Sequence, residues 1–366
     1  MSKSASVRGS MVSAPLAVLA MALLPSILLA RCGIWPTFPP RDGGMDGGGM
    51  DGGARDGVVG TNDRADIATD VFSPEGFRVC PTAPGLGPFT AVSVASLTGT
   101  VFANDLAFDG RMAFVTVSDQ VQQVTAVGAV SGLTTVTSPL NGYGIRYLAN
   151  GDIVFATFSV TAGATGNTIT RFEPSTGMVT QLASGLTNAH GVVSMPGAGG
   201  VFFTQNNSGV GGLFYVTLGG AMTQLTAAIP SPTGLAFAPD YRHLYVGSAG
   251  MGVYVVEVLN DGTLVGTPRM YAASLVKADS LAFDQCGYLY AADKDRNRIM
   301  RVSPGGGAID TLVVSAPGAM AFSPWGLAFG RGAGFDPNSL YALDVNSNTV
   351  LRIPIGVPGA AIVLPP

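Results

Sequence analysis

Six segments of the chain repeat one short pattern: NDLAFDG (104–110), YGIRYLANG (143–151), HGVVSMPG (190–197), TGLAFAPD (233–240), DSLAFDQCG (279–287) and WGLAFGRG (325–332). Their second residues fall at 105, 144, 191, 234, 280 and 326, so the intervals are 39, 47, 43, 46 and 46. A period of this length marks a chain built from stacked supersecondary units. Each unit continues in one order. A turn follows, then an apolar run such as HLYVGS or YLYAAD, a polar loop, and a third run such as GVYVVEV or RIMRVSP. A fourth run, such as MVTQLAS or AMTQLTA, closes most units. Short runs rich in β-branched and aromatic residues between Gly-rich turns read as strands. The pattern therefore predicts an all-β protein, a six-bladed β-propeller with four-stranded blades, in which each blade buries its faces on its neighbours. Two runs compete to close the ring as the last blade's outer strand: FTAVSVASL (89–97) and the C-terminal AAIVL (360–364).

Composition agrees with a packed β-rich chain. Of 366 residues only 11% are charged, and 51 are Gly. Net charge is −4, and the one basic cluster is Lys294, Arg296 and Arg298, which argues against nucleic-acid binding. The first 31 residues read as a targeting segment, with Lys3 and Arg8 ahead of the apolar stretch 11–30. Three readings stand there. Cys32 follows Leu29-Ala30-Arg31 and is a lipidation candidate, although Arg31 departs from the small residue a lipoprotein signal has at that place. Ordinary cleavage and a retained single-span anchor are the others. All three export the domain, to the outer membrane, periplasm or cell surface, and leave the membrane as a partner only through the N-terminal lipid or anchor. Residues 32–70, with PPRDGGMDGGGMDGGARDG (39–57), read as a flexible tether, and 71–366 as the propeller, expected to be a monomer. Cys80 and Cys286 are then free to pair in an oxidising compartment.

The stretch GYLYAADKDRNRIMRVSP (287–304) resembles an NHL repeat, with Asp ending the second strand and RNRI opening the third. TGLAFAPDYRHLYVGS and DSLAFDQCGYLYAAD resemble the gluconolactonase/regucalcin (senescence marker protein) superfamily, and the likeness runs over about 91–366 as a fold pattern. That resemblance implies a divalent cation, calcium or similar, at one mouth of the channel, held by a Glu, an Asn and an Asp, with the Asp also acting as base on a lactone or ester. Asp279 matches that Asp, within Ala-Asp-Ser rather than Pro-Asp-Gly. Thr233 stands where the Asn belongs, and Asn104 offers an amide from another blade. The Glu is missing from the first blade; Glu75 lies about thirty residues too early.

The repeat itself places the six motif-opening residues, Asn104, Tyr143, His190, Thr233, Asp279 and Trp325, around that mouth. It is a concave place with converging polar groups, and so the candidate ligand site. Asp279 and His190 are the candidate acid–base pair, and Asp279 with Asn104 the candidate metal ligands. The simpler reading of His190 is a hydrogen-bonding residue that fills the channel mouth. Tyr143 and Trp325 either stack on a sugar or aromatic ligand or plug the channel. Asp293 and Asp344 end strands beside polar turns and read as caps of their own loops. No Gly-x-Ser-x-Gly nucleophile motif occurs. Two function classes follow: a binding or scaffold module for a protein, peptide or glycan, and a metal-dependent lactonase-like hydrolase or lyase.

Overall fold

The computed structural model describes residues 76–361, apart from 99–102, 118–119, 136–139, 160–165, 196, 198, 208–210, 276 and 318–321. The targeting segment, Cys32 and the tether lie outside the described residues. Six four-stranded antiparallel sheets form the six blades of a propeller. Five run in simple order from an inner to an outer strand. Their inner strands are Ala103–Phe108, Leu140–Tyr147, Ala189–Ser194, Pro232–Phe237 and Leu281–Phe283. The sixth blade starts at Pro324–Phe329, continues through Leu340–Asp344 and Thr349–Ile353, and takes Val92–Ser96 as its fourth strand. The N-terminal candidate therefore closes the ring. Of the C-terminal candidate only Ala360 and Ala361 are described: Ala360 donates its N–H to the Phe283 carbonyl at 2.9 Å and Gly359 bridges to Asp284, so the chain at that point lies on blade five.

Burial explains the strand sequences. The second strands Ala113–Val117, Gly200–Gln205, Leu289–Asp293 and Leu340–Asp344 are buried along their whole length. Neighbouring blades cover both of their faces, so apolar residues run on without alternation. Outer strands such as Met222–Thr226 are mostly exposed and carry Thr and Gln, which blunt the sheet edge. Among the described residues, six apolar clusters lie one at each blade boundary. Phe114 and Val121 of blade one meet Ile145 and Phe155 of blade two; Leu106 and Val115 meet Leu343 and Val350 across the closure. Each fully buried side chain of this size stabilises by about 2 kcal/mol. Closure is thus part of the core.

The leading segment crosses the same face as the C-terminal run. Phe77 packs on Phe283 at 4.8 Å, Arg78 donates its N–H to Gln285 at 2.8 Å, and Cys80 forms a disulfide with Cys286, Cα atoms 5.5 Å apart.

Candidate functional site

The five longer inner strands carry a β-bulge at the motif opening. Register shifts fall between Ala103 and Asp105, Gly142 and Ile145, Ala189 and Val192, Pro232 and Leu235, and Pro324 and Leu327. A bulge re-aims the side chains at which it occurs. One residue further in, adjacent blades come so close that four of the six units need Gly. A Cβ on Gly191 would stand 2.5 Å from the Thr233 carbonyl oxygen, and one on Gly234 would stand 2.4 Å from that of Asp279. Asp105 and Ser280 occupy the other two places.

Five of the six motif-opening residues, Asn104, Tyr143, His190, Asp279 and Trp325, line one cavity of about 10 Å³ at this mouth. That is room for about one water-sized group. Thr233 is absent from the lining: it is fully buried, and its hydroxyl donates to the Ala278 carbonyl at 2.6 Å. It acts as a latch between blades, as Thr204 does on the Thr233 carbonyl at 2.6 Å. Asn104 donates its Nδ2 to the Gly142 carbonyl at 2.5 Å, which also ties two blades together.

Tyr143 and His190 form a buried ring pair, centroids 3.9 Å apart. His190 Nε2 stands 3.7 Å from Asp279 Oδ1, while its Nδ1 has no hydrogen-bond partner among the described residues. Burial pushes the imidazole pKa well down, and Lys294 and Lys277 push it further, so the ring is neutral at pH 7. Burial raises the Tyr143 phenol well above its ordinary value. Both rings therefore behave as packing of the mouth.

Asp279 is 7% exposed, and neither carboxylate oxygen receives a hydrogen bond. Sequence reasoning missed its two neighbours. Lys294 Nζ lies 3.5 Å and Lys277 Nζ 3.8 Å from Asp279 Oδ2. Lys294 enters from the turn Lys294–Arg296 and rests 3.8 Å over the Trp325 ring, a cation–π contact. Burial raises the Asp279 pKa against the pull of both lysines, and burial lowers that of Lys294. Asp293 and Asp344 serve their own turns: Asp293 Oδ2 accepts from Arg298 Nε at 3.0 Å and Asp344 Oδ2 from the Ser347 hydroxyl at 2.6 Å, while Asp344 Oδ1 also accepts the Ser323 N–H at 2.9 Å from the segment leading into the inner strand.

Below the mouth sits a second polar layer. Arg146 Nη1 pairs with Asp105 Oδ2 at 2.6 Å and donates to the Ile145 carbonyl at 2.5 Å; Ser280 donates to Asp105 Oδ1 at 3.4 Å. The signal was in the repeat. The fourth motif residue is Ala107, Arg146, Val193, Ala236, Ala282 or Ala328, and the second is Gly in four units. Asp105 and Arg146 are the paired exceptions, in adjacent blades.

A hard divalent cation takes about six to eight oxygen ligands. The mouth cavity has Asp279 with two ammonium groups within 4 Å of its Oδ2, and Asp105 one step deeper is bound to Arg146. Among the described residues no group of three or more His, Cys, Asp or Glu side chains could hold a metal ion. Cations already surround the one candidate carboxylate, so this donor set does not fit a divalent ion.

Residues 163–327 match the family model of the SMP-30/Gluconolactonase/LRE-like region. The matched stretch spans the two outer strands of blade two, blades three to five and the opening of blade six, and holds His190, Thr233, Asp279 and Trp325. Solved structures agree on the fold. A gluconolactonase from Xanthomonas campestris is 17% identical, with 75% of this chain and 91% of that one covered at a TM-score of 0.57. A calcium-binding protein, regucalcin, from Agrobacterium tumefaciens is 16% identical over 76% and 97% of the chains at 0.56. An auxiliary nutrient binding protein from Bacteroides thetaiotaomicron is 14% identical over 70% and 69% at 0.56. The chain is a six-bladed propeller of gluconolactonase-like fold.

Proposed function

We propose that this chain is an exported binding propeller whose polar mouth engages a hydroxyl-bearing ligand, a glycan, by its tip. The observation that carries this is Asp279: a buried carboxylate opening on a cavity one hydroxyl wide, with Lys294 and Lys277 at 3.5 and 3.8 Å on its Oδ2 side and no donor among the described residues within hydrogen-bond distance of Oδ1. The two ammonium groups balance the charge, but an oxygen of a buried carboxylate left without a close donor is costly, and a sugar hydroxyl or hydroxymethyl supplies one. Trp325, partly exposed beside it, offers a ring edge to the rest of the sugar. Export is supported by the basic-then-apolar N-terminus and by the Cys80–Cys286 disulfide, a bond of oxidising compartments.

The second reading is a lactonase-like hydrolase with Asp279 as base, favoured by the place of Asp279 within the matched stretch. Calorimetry on chelator-treated full chain with a panel of oligosaccharides separates the two. Binding in the absence of added metal, weakened about tenfold or more by Asp279→Asn, is expected. Turnover of a sugar lactone that requires an added divalent cation and is lost in Asp279→Asn would establish the hydrolase instead.

A further inference from the structure

Below the Asp105–Arg146 layer the channel widens into a second cavity of about 140 Å³, distinct from the mouth. Motif residues three to five line it. The aromatic wall includes Phe108, Phe237, Phe283 and Phe329, and the space exists because the fourth motif residue is Ala in four blades. Two cations reach this apolar room. Arg146 is neutralised by Asp105. Arg331 is not: its Nη2 donates to the Ala360 carbonyl, and among the described residues it has no carboxylate partner. Burial pushes its pKa down to about 10, against an upward pull from Tyr241. A guanidinium has five N–H donors, and a carboxylate takes two of them in parallel.

We propose that this cavity is a binding site for a small apolar carboxylate, one aromatic ring or a short branched acyl chain in size, with its carboxylate on Arg331. The size follows from volume: an apolar protein cavity of about 150 Å³ holds benzene. The charge follows from Arg331, since among the described residues no carboxylate meets its guanidinium. The site stands apart from Asp279 and does not depend on the reading of the mouth.

Titration calorimetry or ligand-observed NMR on the full chain tests it, with benzoate and 3-methylbutanoate as probes and benzyl alcohol as the neutral partner of benzoate. Saturable benzoate binding is expected, about tenfold tighter than benzyl alcohol, because a charge-assisted bidentate contact is lost in the alcohol. Arg331→Met should bring benzoate down to the level of benzyl alcohol and leave benzyl alcohol unchanged. Ala236→Leu, which fills the room, should abolish both, and Asp279→Asn should change neither. The proposal is overturned if no carboxylate binds the folded native chain saturably. It is equally overturned if benzoate binds Arg331→Met as tightly as the native chain. Should Ala236→Leu fail to fold, the native chain and Arg331→Met decide the matter.

Discussion

The two ends of the channel are made by the same six segments and differ in nearly every chemical respect. At the mouth the motif-opening residues are Asn, Tyr, His, Thr, Asp and Trp, no two alike, and the cavity they leave admits about one water-sized group. At the far end the motif reads Leu-Ala-Phe in four of six units, and the cavity is about 140 Å³. Residues that recur carry blade packing, because every boundary poses the same packing problem. Residues that break the pattern are released from that problem, and they collect where the bulges aim them. The partition between the ends is itself a break in the pattern, the Asp105–Arg146 pair.

The largest effect should come from the waist, where a Cβ on any of the four motif glycines would stand within 2.7 Å of the neighbouring blade's backbone. Gly234→Val would press its side chain on the Asp279 backbone, with the Cβ 2.4 Å from the carbonyl oxygen, and should cost about 3–5 kcal/mol in denaturant unfolding. Gly199→Ala, a site with open space around the new Cβ, should stay within about 0.5 kcal/mol. Equal losses at both would mean that the waist is not the tight point.

Next comes the partition. Asp105→Ala leaves Arg146, whose side chain is 20% exposed, without its counter-charge, and a loss of about 2–4 kcal/mol is expected. Asp105→Gly with Arg146→Ala rewrites both positions in the pattern of the other blades. It should recover much of that loss and join the two cavities. A double-mutant cycle over Asp105→Gly and Arg146→Ala, with each single variant and the pair followed by chemical unfolding, measures the coupling, and a coupling near zero would remove the pair from the account.

The smallest effects separate the ends by pH. Asp284, in the turn at the far face, accepts the Cys286 and Tyr288 N–H groups and the Tyr290 hydroxyl, yet burial lifts its pKa from 3.8 to about 6. The folded chain then keeps a proton that the unfolded chain has lost. Its contribution to stability therefore falls as pH rises from about 4 to about 6, by at most about 3 kcal/mol. His190 at the mouth has the opposite sign. Its lowered pKa keeps it neutral in the fold, so stability is lost as pH falls below about 6.5, where the unfolded imidazole takes up a proton. Unfolding between pH 4 and pH 8 should show Asp284→Asn flattening one limb and His190→Gln the other. If either variant leaves its limb unchanged, that group does not titrate as its burial requires.

The fold was legible in the sequence through its period alone. Spacing of 39 to 47 residues, four runs per unit and Gly-rich turns needed no contact information, because each blade meets the same surroundings. The mouth was legible in part. The repeat register led to Asn104, Tyr143, His190, Asp279 and Trp325, since one motif position means one place on the axis. It also led to Thr233, whose hydroxyl turns instead to the Ala278 carbonyl, a choice made by a neighbouring blade 45 residues away. Ring closure by Val92–Ser96, the lysines beside Asp279 and the pairing of Asp105 with Arg146, two positions that the repeat marks as exceptions without joining them, were decided only in three dimensions. Arg146 stands 41 residues after Asp105, Lys294 reaches Asp279 from a different turn of the same blade, and the closing strand meets the last blade across more than 250 residues of chain. Local pattern records what every blade shares. Which charge faces which is set by side chains from different units meeting at the axis, and no periodicity in the sequence encodes that.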